Sequence, residues 1–239
     1  VAADPAIVER AKPMRIASDA EGPIRPVIVP LGDAALLVRF GDTLSDAANE
    51  AAIGFARSLG ENPLPGVLEI VPNLVSVLLR YDPGRVQLAL LTGEVRLRLY
   101  GTGDAALPAA AHHSIAVDFG GTAGPDLEAV AAALAMSVEG FIAAHNATPL
   151  RVLATGFAPG FVYCGFHPQA LTLPRRPSIR ASVPAGTILF AAGQTAITAT
   201  EVPTGWHVIG ATPFRNFDPT ALPPTVLRAG DSVRFGPLS

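Results

Sequence analysis

The feature that most constrains this chain is the way in which glycine and proline interrupt its apolar runs. The 239 residues include 23 glycines and 23 prolines, which are scattered along the chain rather than gathered in one tract. Such punctuation favours many short strands joined by turns. A long segment without a charged side chain, residues 181–200, itself contains Pro184, Gly186 and Gly193. We therefore do not expect it to form a membrane-spanning helix.

The charge composition narrows the range of partners. Charged residues make up 15% of the chain, and 17 basic against 20 acidic residues leave a formal charge of −3. No basic surface is expected that could hold nucleic acid or an anionic membrane. Charges between Asp4 and Glu21 interrupt any apolar core of a signal peptide. We expect a cytoplasmic protein that binds neither nucleic acid nor membranes.

Lysine and cysteine usage limits the chemistry of the chain. Lys12 is its only lysine and Cys164 its only cysteine. A Walker A loop needs a lysine on the phosphates, and covalent biotin or pyridoxal phosphate needs a lysine for attachment, so neither is expected here. One cysteine forms no internal disulfide and no thiolate zinc site. We predict no bound metal and no covalently bound cofactor.

The first part of the chain is predicted to be a small α+β domain. Its apolar pattern indicates a strand pair, a helix that starts at Thr43 or Ser45 and ends at Gly60, and a second strand pair. The strands are expected at residues 26–30, 34–40, 67–71 and 74–81. The Gly- and Ala-rich residues 101–111 have neither period nor bulk, which is typical of a linker. We assign a tail to residues 1–24, the α+β domain to 25–104 and the linker to 105–112.

Residues 113–239 are predicted to form a β-barrel domain. A strand at 114–119 is followed by two helices, one beginning near Pro125 and one running from Ser137 to His145. Further strands are expected within residues 151–157, 187–193, 194–200, 205–210 and 231–236. A closed or nearly closed barrel buries such strands without leaving edges. The predicted fold class is α+β.

A set of motifs in collinear order gives the chain a family resemblance. They are LGDAALL at 31–37, LPGV at 64–67, GPDLE at 124–128, GFAPGFVY at 156–163, LPRR at 173–176, VPAG at 183–186, GQT at 193–195 and GWHVIG at 205–210. In this order they resemble the KipI family, also called allophanate hydrolase subunit 1 or the B subunit of 5-oxoprolinase. The resemblance implies that the barrel of residues 113–239 is cyclophilin-like.

The resemblance leaves three functions open, because members of the KipI family work with a second protein in different settings. The first is the B subunit of an ATP-dependent 5-oxoprolinase or related amide- or lactam-processing complex. Its expected partner is a KipA-like protein, with a LamB/YcsF-like protein as a candidate third component, and ATP, with Mg, is then expected in the complex. The alternatives are a KipI-type inhibitor of a sensor histidine kinase and a part of a biotin-dependent urea or amide carboxyltransferase, with biotin from another chain.

The family motifs also supply candidate site residues. Activation of a lactam by ATP builds negative charge on oxygen, and arginine side chains and backbone amides stabilise such charge. The catalytic candidates are Arg175, Arg176, Gln194, Thr195 and His207, and the substrate-binding candidates are Phe157, Pro159, Gly160, Tyr163, Gly193 and Trp206. Structural roles stay open for all of them: loop or partner contacts for the arginines, a strand bend for residues 193–195, a structural role for His207 and core packing for the aromatic residues.

The other histidines and the cysteine are assigned to structure. His112 and His113 are neighbours on an extended chain, so they point apart and do not share a metal ion. His145 ends a helix, where a cation suits the helix dipole, and Cys164 is expected to pack. Where the family commonly has Leu-Gly-Gly-Leu and Ser-Pro-Gly-Gly-Trp, this chain has CGFH at 164–167 and VPTGW at 202–206. These departures alter the edge of the expected site and leave its substrate open.

Overall fold

The chain divides into two units, residues 1–101 and residues 102–239, in this computed structural model, which describes residues 24–101 and 110–238. The predicted tail, apart from residue 24, and residues 105–109 of the predicted linker therefore lie outside the described residues. The end of that linker is corrected, because a strand that spans His112–Phe119 begins at its last residue. His112 is therefore part of a strand and not of the linker.

Within residues 24–101, the first unit contains a four-stranded antiparallel sheet in the order β1-β2-β4-β3. The strands β1 to β4 are Val27–Leu31, Ala35–Arg39, Val67–Asn73 and Ser76–Tyr81. Helix α1, Asp46–Glu61, covers one face, where Leu36, Val38, Val77 and Leu79 are fully buried. The Ser45 hydroxyl accepts a hydrogen bond from the Ala48 amide, which confirms the predicted helix start.

Helix α2, Leu88–Gly101, was not predicted. Its apolar residues are distributed around the helix rather than along one stripe, so the sequence lacks the helical period that indicated α1. Leu91 and Val95 are buried, whereas Leu90, Leu97 and Tyr100 are exposed. The helix therefore packs through a narrow face that contains Leu91 and Val95.

The second unit is built on a closed barrel in the order β10-β7-β6-β13-β5-β12-β9. In chain order its strands are β5 His112–Phe119, β6 Leu150–Thr155, β7 Val162–Gly165, β9 Thr187–Ala191, β10 Gln194–Ile197, β12 His207–Ala211 and β13 Ser232–Pro237. Two further strands, β8 Arg180–Val183 and β11 Val202–Thr204, form a separate ribbon. The barrel confirms the predicted α+β class, while the short strands β7, β8 and β11 were not predicted.

Helices α3, Leu127–Ala133, and α4, Val138–His145, lie between β5 and β6. The Ser137 hydroxyl accepts a hydrogen bond from the Gly140 amide and so caps α4 as predicted. No single helix of the described residues is long and apolar enough to cross a membrane, and α3 and α4 reach that length only as a pair bent by 88°.

Alternate residues of the barrel strands belong to two apolar clusters. Inside the barrel, Ile197 packs with residues such as Phe190 and Phe235. Outside, Ala196 packs with Trp206 and other apolar residues. Because side chains alternate along a strand, the inner and outer faces of β10 have different neighbours. This alternation decides where the candidate site residues lie.

Candidate functional site

Four aromatic side chains form a row on the outer side of the barrel. The ring centroids of Phe157 and Phe161 are 5.4 Å apart, those of Phe161 and Tyr163 are 4.8 Å apart, and those of Tyr163 and Trp206 are 6.0 Å apart. These spacings are those of packed aromatic pairs. Phe157 is 71% exposed at one end, while Trp206 is 6% exposed at the other. The row thus runs from solvent to a buried indole.

The loop that carries Phe157 depends on glycine. Gly160 has a positive φ of 69°, and a Cβ there would collide with Phe217. Phe157 itself has a φ of 77°, a left-handed conformation that is uncommon for an aromatic residue. Pro159 is exposed and Gly160 is buried. Within this loop, Phe157 and Pro159 are therefore accessible to a ligand, and Gly160 shapes the backbone.

Arg175 stands at the buried end of the aromatic row. Its guanidinium carbon lies 5.7 Å from the centroid of the Trp206 ring, within the range of a cation–π interaction. Burial raises the pKa of the Tyr163 hydroxyl, and the charge of Arg175 partly opposes this shift. None of the ion pairs among the described residues involves Arg175. We call Arg175, Trp206, Tyr163, Phe161 and Phe157 the outer site.

The neighbouring Arg176 has a different environment. Its Nη1 donates to Asp126 Oδ2 at 3.4 Å, and its backbone amide donates to the Gly205 carbonyl at 2.7 Å. The His207 Nε2 lies 3.0 Å from the Pro174 carbonyl, to which it donates. Both side chains therefore hold the loop that carries Arg175. The structure does not bring their polar atoms together with Arg175 over Trp206.

Gln194 and Thr195 lie on opposite faces of β10. Thr195 faces the barrel interior, while Gln194 shares the outer face with Ala196, which pairs with Tyr163. Gln194 is buried, and its Nε2 has no hydrogen-bond partner among the described residues. Gly193 forms the preceding turn with a φ of 69°. The sequence placed Gln194 and Thr195 in one cleft, and the structure separates them because adjacent strand residues point apart.

The barrel interior contains a buried polar network that the sequence did not predict. The Thr195 Oγ1 lies 2.8 Å from His145 Nε2 and 2.8 Å from His167 Nε2. The His145 Nδ1 lies 2.7 Å from Asn146 Oδ1. The imidazole rings of His145 and His167 are 4.7 Å apart between centroids. We call these four residues the inner network.

The hydrogen bonds of the inner network have a direction. Because Asn146 Oδ1 accepts, His145 Nδ1 carries a proton, and in a neutral ring Nε2 then accepts from the Thr195 hydroxyl. The same hydroxyl oxygen accepts from His167 Nε2. Burial lowers the pKa of His145 to about 4, and burial with the nearby His145 lowers that of His167 to about 3. Both rings are therefore neutral near pH 7.

The inner network has the order of a nucleophile, a base and an orienting group in Thr195, His145 and Asn146. Thr195 is fully buried, however, and His145 is 1% exposed. The rings of Phe141, Phe190 and Phe235 surround His145 at centroid distances of 5.5 to 6.2 Å. This closed setting makes the network a structural element of the barrel. It also corrects the dipole role expected for His145, because a neutral ring is no helix-end cation.

Two other side chains agree with their predicted structural roles. Cys164 is fully buried in the barrel interior, and burial raises the pKa of its thiol to about 12. His113 lies 3.2 Å from Asp231, whereas the neighbouring His112 is exposed. Among residues 24–101 and 110–238, no three His, Cys, Asp or Glu side chains come together as a metal site.

The closed barrel, the motifs and the outer site together indicate the class of protein to which this chain belongs. Residues 26–227 match the family described as carboxyltransferase domain, subdomain C and D, and the chain belongs to this family. Within it, the chain is 36% identical over 222 residues to the 5-oxoprolinase B subunit of Bacillus subtilis, covering 89% of this chain and 92% of the relative. It is 34% identical over 209 residues to the 5-oxoprolinase B subunit of Escherichia coli O157:H7, covering 87% and 94%. The resemblance found in the motifs is thus confirmed.

Solved structures share the fold. TTHA0988 superposes with a TM-score of 0.76 at 36% identity, over 86% of this chain and 40% of that chain, so this chain spans less than half of that protein. The conserved uncharacterized protein PH0987 from Pyrococcus horikoshii is 33% identical, with a TM-score of 0.52 over 89% of this chain and 97% of that one. The urea carboxylase of Kluyveromyces lactis has a TM-score of 0.68 at 15% identity, over 95% and 23%, and shares the fold alone.

Proposed function

We propose that this chain is the B subunit of an ATP-dependent 5-oxoprolinase, or of a closely related lactam- or amide-processing complex. The observation that carries the proposal is the similarity to 5-oxoprolinase B subunits over 92% and 94% of their length. A protein of this kind acts with other chains. The proposed partners are a KipA-like protein and a LamB/YcsF-like protein, in a cytoplasmic complex.

The outer site is the proposed contribution of this chain to catalysis. The guanidinium of Arg175 lies over Trp206, and its charge acts on the Tyr163 hydroxyl by favouring the ionised form. A cation against an apolar wall stabilises negative charge more strongly than it does in water. The aromatic row offers a surface against which a small ring can pack. The Nε2 of Gln194 is a further donor on the same face of the barrel.

Mg-ATP is proposed to be bound chiefly by the partner chains. Lys12 is the only lysine of this chain, and it lies outside every glycine-rich motif. Among the described residues, no cluster of carboxylates and histidines fits a metal ion. When bound in the complex, ATP supplies the activation of the lactam carbonyl. The residues described above then orient the lactam and stabilise the charge on its oxygen.

A second candidate function is carboxyl transfer. The family takes its description from carboxyltransferase domains, and a urea carboxylase shares the fold. In that setting the outer site would bind the oxygen atoms of a carboxylated carrier, and biotin would be attached to another chain. Arg175 has the same role in both candidates, because both reactions place negative charge on a carbonyl oxygen.

Reconstitution tests the proposal. The chain is co-expressed with the KipA-like and LamB/YcsF-like proteins, and 5-oxoproline-dependent release of phosphate and glutamate is measured. We expect turnover by the complete set and none when this chain is omitted or tested alone. Equal turnover by the two partners without this chain contradicts the proposal. Carboxylation of urea by the chain with a biotin carrier, without turnover of 5-oxoproline, would replace it by the second candidate.

A further inference from the structure

Asp126 occupies a central position between two parts of the second unit. Its backbone amide donates to the Val208 carbonyl at 3.0 Å, and its Oδ2 accepts from the Val208 amide at 2.8 Å. This close approach depends on Gly124, because a Cβ there would collide with the Ile209 carbonyl. Asp126 is thus fixed to strand β12, and this strand begins directly after Trp206.

The same carboxylate binds Arg180, the first residue of strand β8, and Arg176 in the loop before that strand. Arg180 Nη2 lies 2.9 Å from Oδ1 and 3.0 Å from Oδ2, and Arg176 Nη1 lies 3.4 Å from Oδ2. The Asp126 side chain is 15% exposed, so these ion pairs are shielded from water. Charge-assisted hydrogen bonds of this kind have a stricter geometry than exposed ion pairs.

Arg175 stands between these fixed points. His207 holds the carbonyl of Pro174 on one side, and Arg176 is held on the other side by Asp126 and Gly205. Asp126 neutralises charge on Arg176 and Arg180, which would otherwise repel Arg175. The one carboxylate therefore joins the loop that carries Arg175 to the strand next to Trp206.

We propose that Asp126 is a positioning residue that holds the Arg175 guanidinium over Trp206 by binding Arg176, Arg180 and the backbone of Val208 at once. Arg176 then serves the site through its ion pair, and Arg175 is the arginine that meets the ligand. The catalytic consequence rests on the proposed function, whereas the positioning itself does not. The positioning by Asp126 explains why, of the two adjacent arginines in this motif, Arg175 faces the outer site and Arg176 does not.

Trp206 is the only tryptophan of the chain, so its fluorescence reports on this site alone. Quenching by acrylamide, a neutral molecule, measures how far the indole is uncovered. Arg175→Gln is expected to raise the quenching constant roughly twofold, because a long arginine side chain covers much of an apolar surface. Asp126→Asn should reproduce that rise, although its own side chain is not the group over the indole. The matched control is Glu128→Gln, an exposed acid in α3 that loses the same charge, and it should leave quenching unchanged.

A double variant separates positioning from a general loosening of the fold. If Asp126 acts through Arg175, Asp126→Asn adds nothing to the quenching of the Arg175→Gln protein. A wild-type quenching constant in Asp126→Asn, or an equal further rise in the double variant, overturns the proposal. Arg176→Gln, which leaves the Arg180 pair in place, provides the same comparison if Asp126→Asn does not fold, as judged by its melting transition.

Activity provides a separate readout. In the reconstituted complex, Asp126→Asn should lower kcat/KM in the same sense as Arg175→Gln, and the two losses should not add. If quenching rises as expected while both variants keep full turnover, the positioning of Arg175 stands and the role of Arg175 in the proposed function is wrong. The two failures are therefore distinguishable.

Discussion

The interior of the barrel and its outer site use polar side chains from the same strand in opposite ways. Inside, the hydroxyl of Thr195 joins two neutral histidines in a buried network. Outside, the adjacent Gln194 has an Nε2 without a partner among the described residues, on the face where Arg175 lies over Trp206. Satisfied polar groups stabilise a fold, whereas an unpaired buried donor marks a position where a further partner is expected. The environment of these polar side chains, rather than their residue type, therefore distinguishes a structural role from a functional one.

Arg175→Gln has the largest expected effect. Removal of a donor that stabilises charge in the reacting state costs about 2.7 to 4 kcal/mol, so kcat/KM of the reconstituted complex should fall by about a hundredfold or more. The melting temperature should not change, because Arg175 is exposed. Arg234→Gln, an exposed arginine on β13, is the matched control. Full activity of Arg175→Gln would show that Arg175 of the outer site does not contribute to turnover.

Thr195→Val tests the claim that the inner network stabilises the fold. The substitution keeps the volume but leaves His145 Nε2 and His167 Nε2 without their shared partner. Because an unpaired buried group costs about 1 to 3 kcal/mol, the free energy of unfolding should fall by roughly that amount or more. Urea denaturation measures it, with the exposed Thr172→Val as control. An unchanged free energy of unfolding would show that the network contributes nothing.

The inner network also predicts a dependence of stability on pH. Burial holds the folded pKa of His145 at about 4 and that of His167 at about 3, below the value of 6.5 for a free histidine. The unfolded chain therefore binds more protons below pH 6.5, and stability falls as the pH decreases towards 4. The slope is about 1.4 kcal/mol per pH unit for each buried histidine.

Unfolding of His167→Leu between pH 7 and 4.5 isolates this contribution. Its stability should decrease less steeply than that of the wild type, by the slope of one histidine. The exposed His112→Gln should keep the wild-type slope. Parallel curves for His167→Leu and the wild type would mean that His167 is not held neutral by the fold.

Gln194→Leu has the smallest expected effect. Its Nε2 makes no hydrogen bond within the described residues, so stability should change by less than about 1 kcal/mol. If this amide donates to the ligand, kcat/KM should fall by about tenfold, the size of one neutral hydrogen bond. The structural analogue Gln194→Glu, measured beside it, places an unpaired charge at the same position and should destabilise the barrel. Equal stability of both variants would show that Gln194 is not enclosed.

Local sequence signals predicted much of the fold. The strands β1 to β4 and the capped helix α1 follow from alternation, turn residues and Ser45, all of which act over a few residues. The barrel strands β9 and β10 were also predicted, together with the turn between them. Helix α2 was missed because its apolar residues form no stripe. Strands β7, β8 and β11, of three or four residues each, were also missed, whereas the equally short β10 was predicted as part of the longer segment 194–200.

The candidate site was predicted in part. The motifs placed Arg175, Tyr163 and Trp206 among the site residues, and the structure brings these three together. The inner network could not be predicted, because Thr195 meets His145 and His167 from 50 and 28 residues away. Such contacts depend on closure of the barrel. The period-two pattern of β10 was the one available signal, since it places Thr195 and Gln194 on opposite faces.

The most direct test of the division between outer site and inner network measures turnover per folded molecule and free energy of unfolding in two pairs of variants. The outer pair is Arg175→Gln and Tyr163→Phe, and the inner pair is Thr195→Val and His167→Leu. We predict that the outer pair loses turnover at unchanged stability, while the inner pair loses stability at unchanged turnover per folded molecule. Loss of turnover in folded Thr195→Val, with full turnover in Arg175→Gln, would place the chemistry inside the barrel and contradict this division.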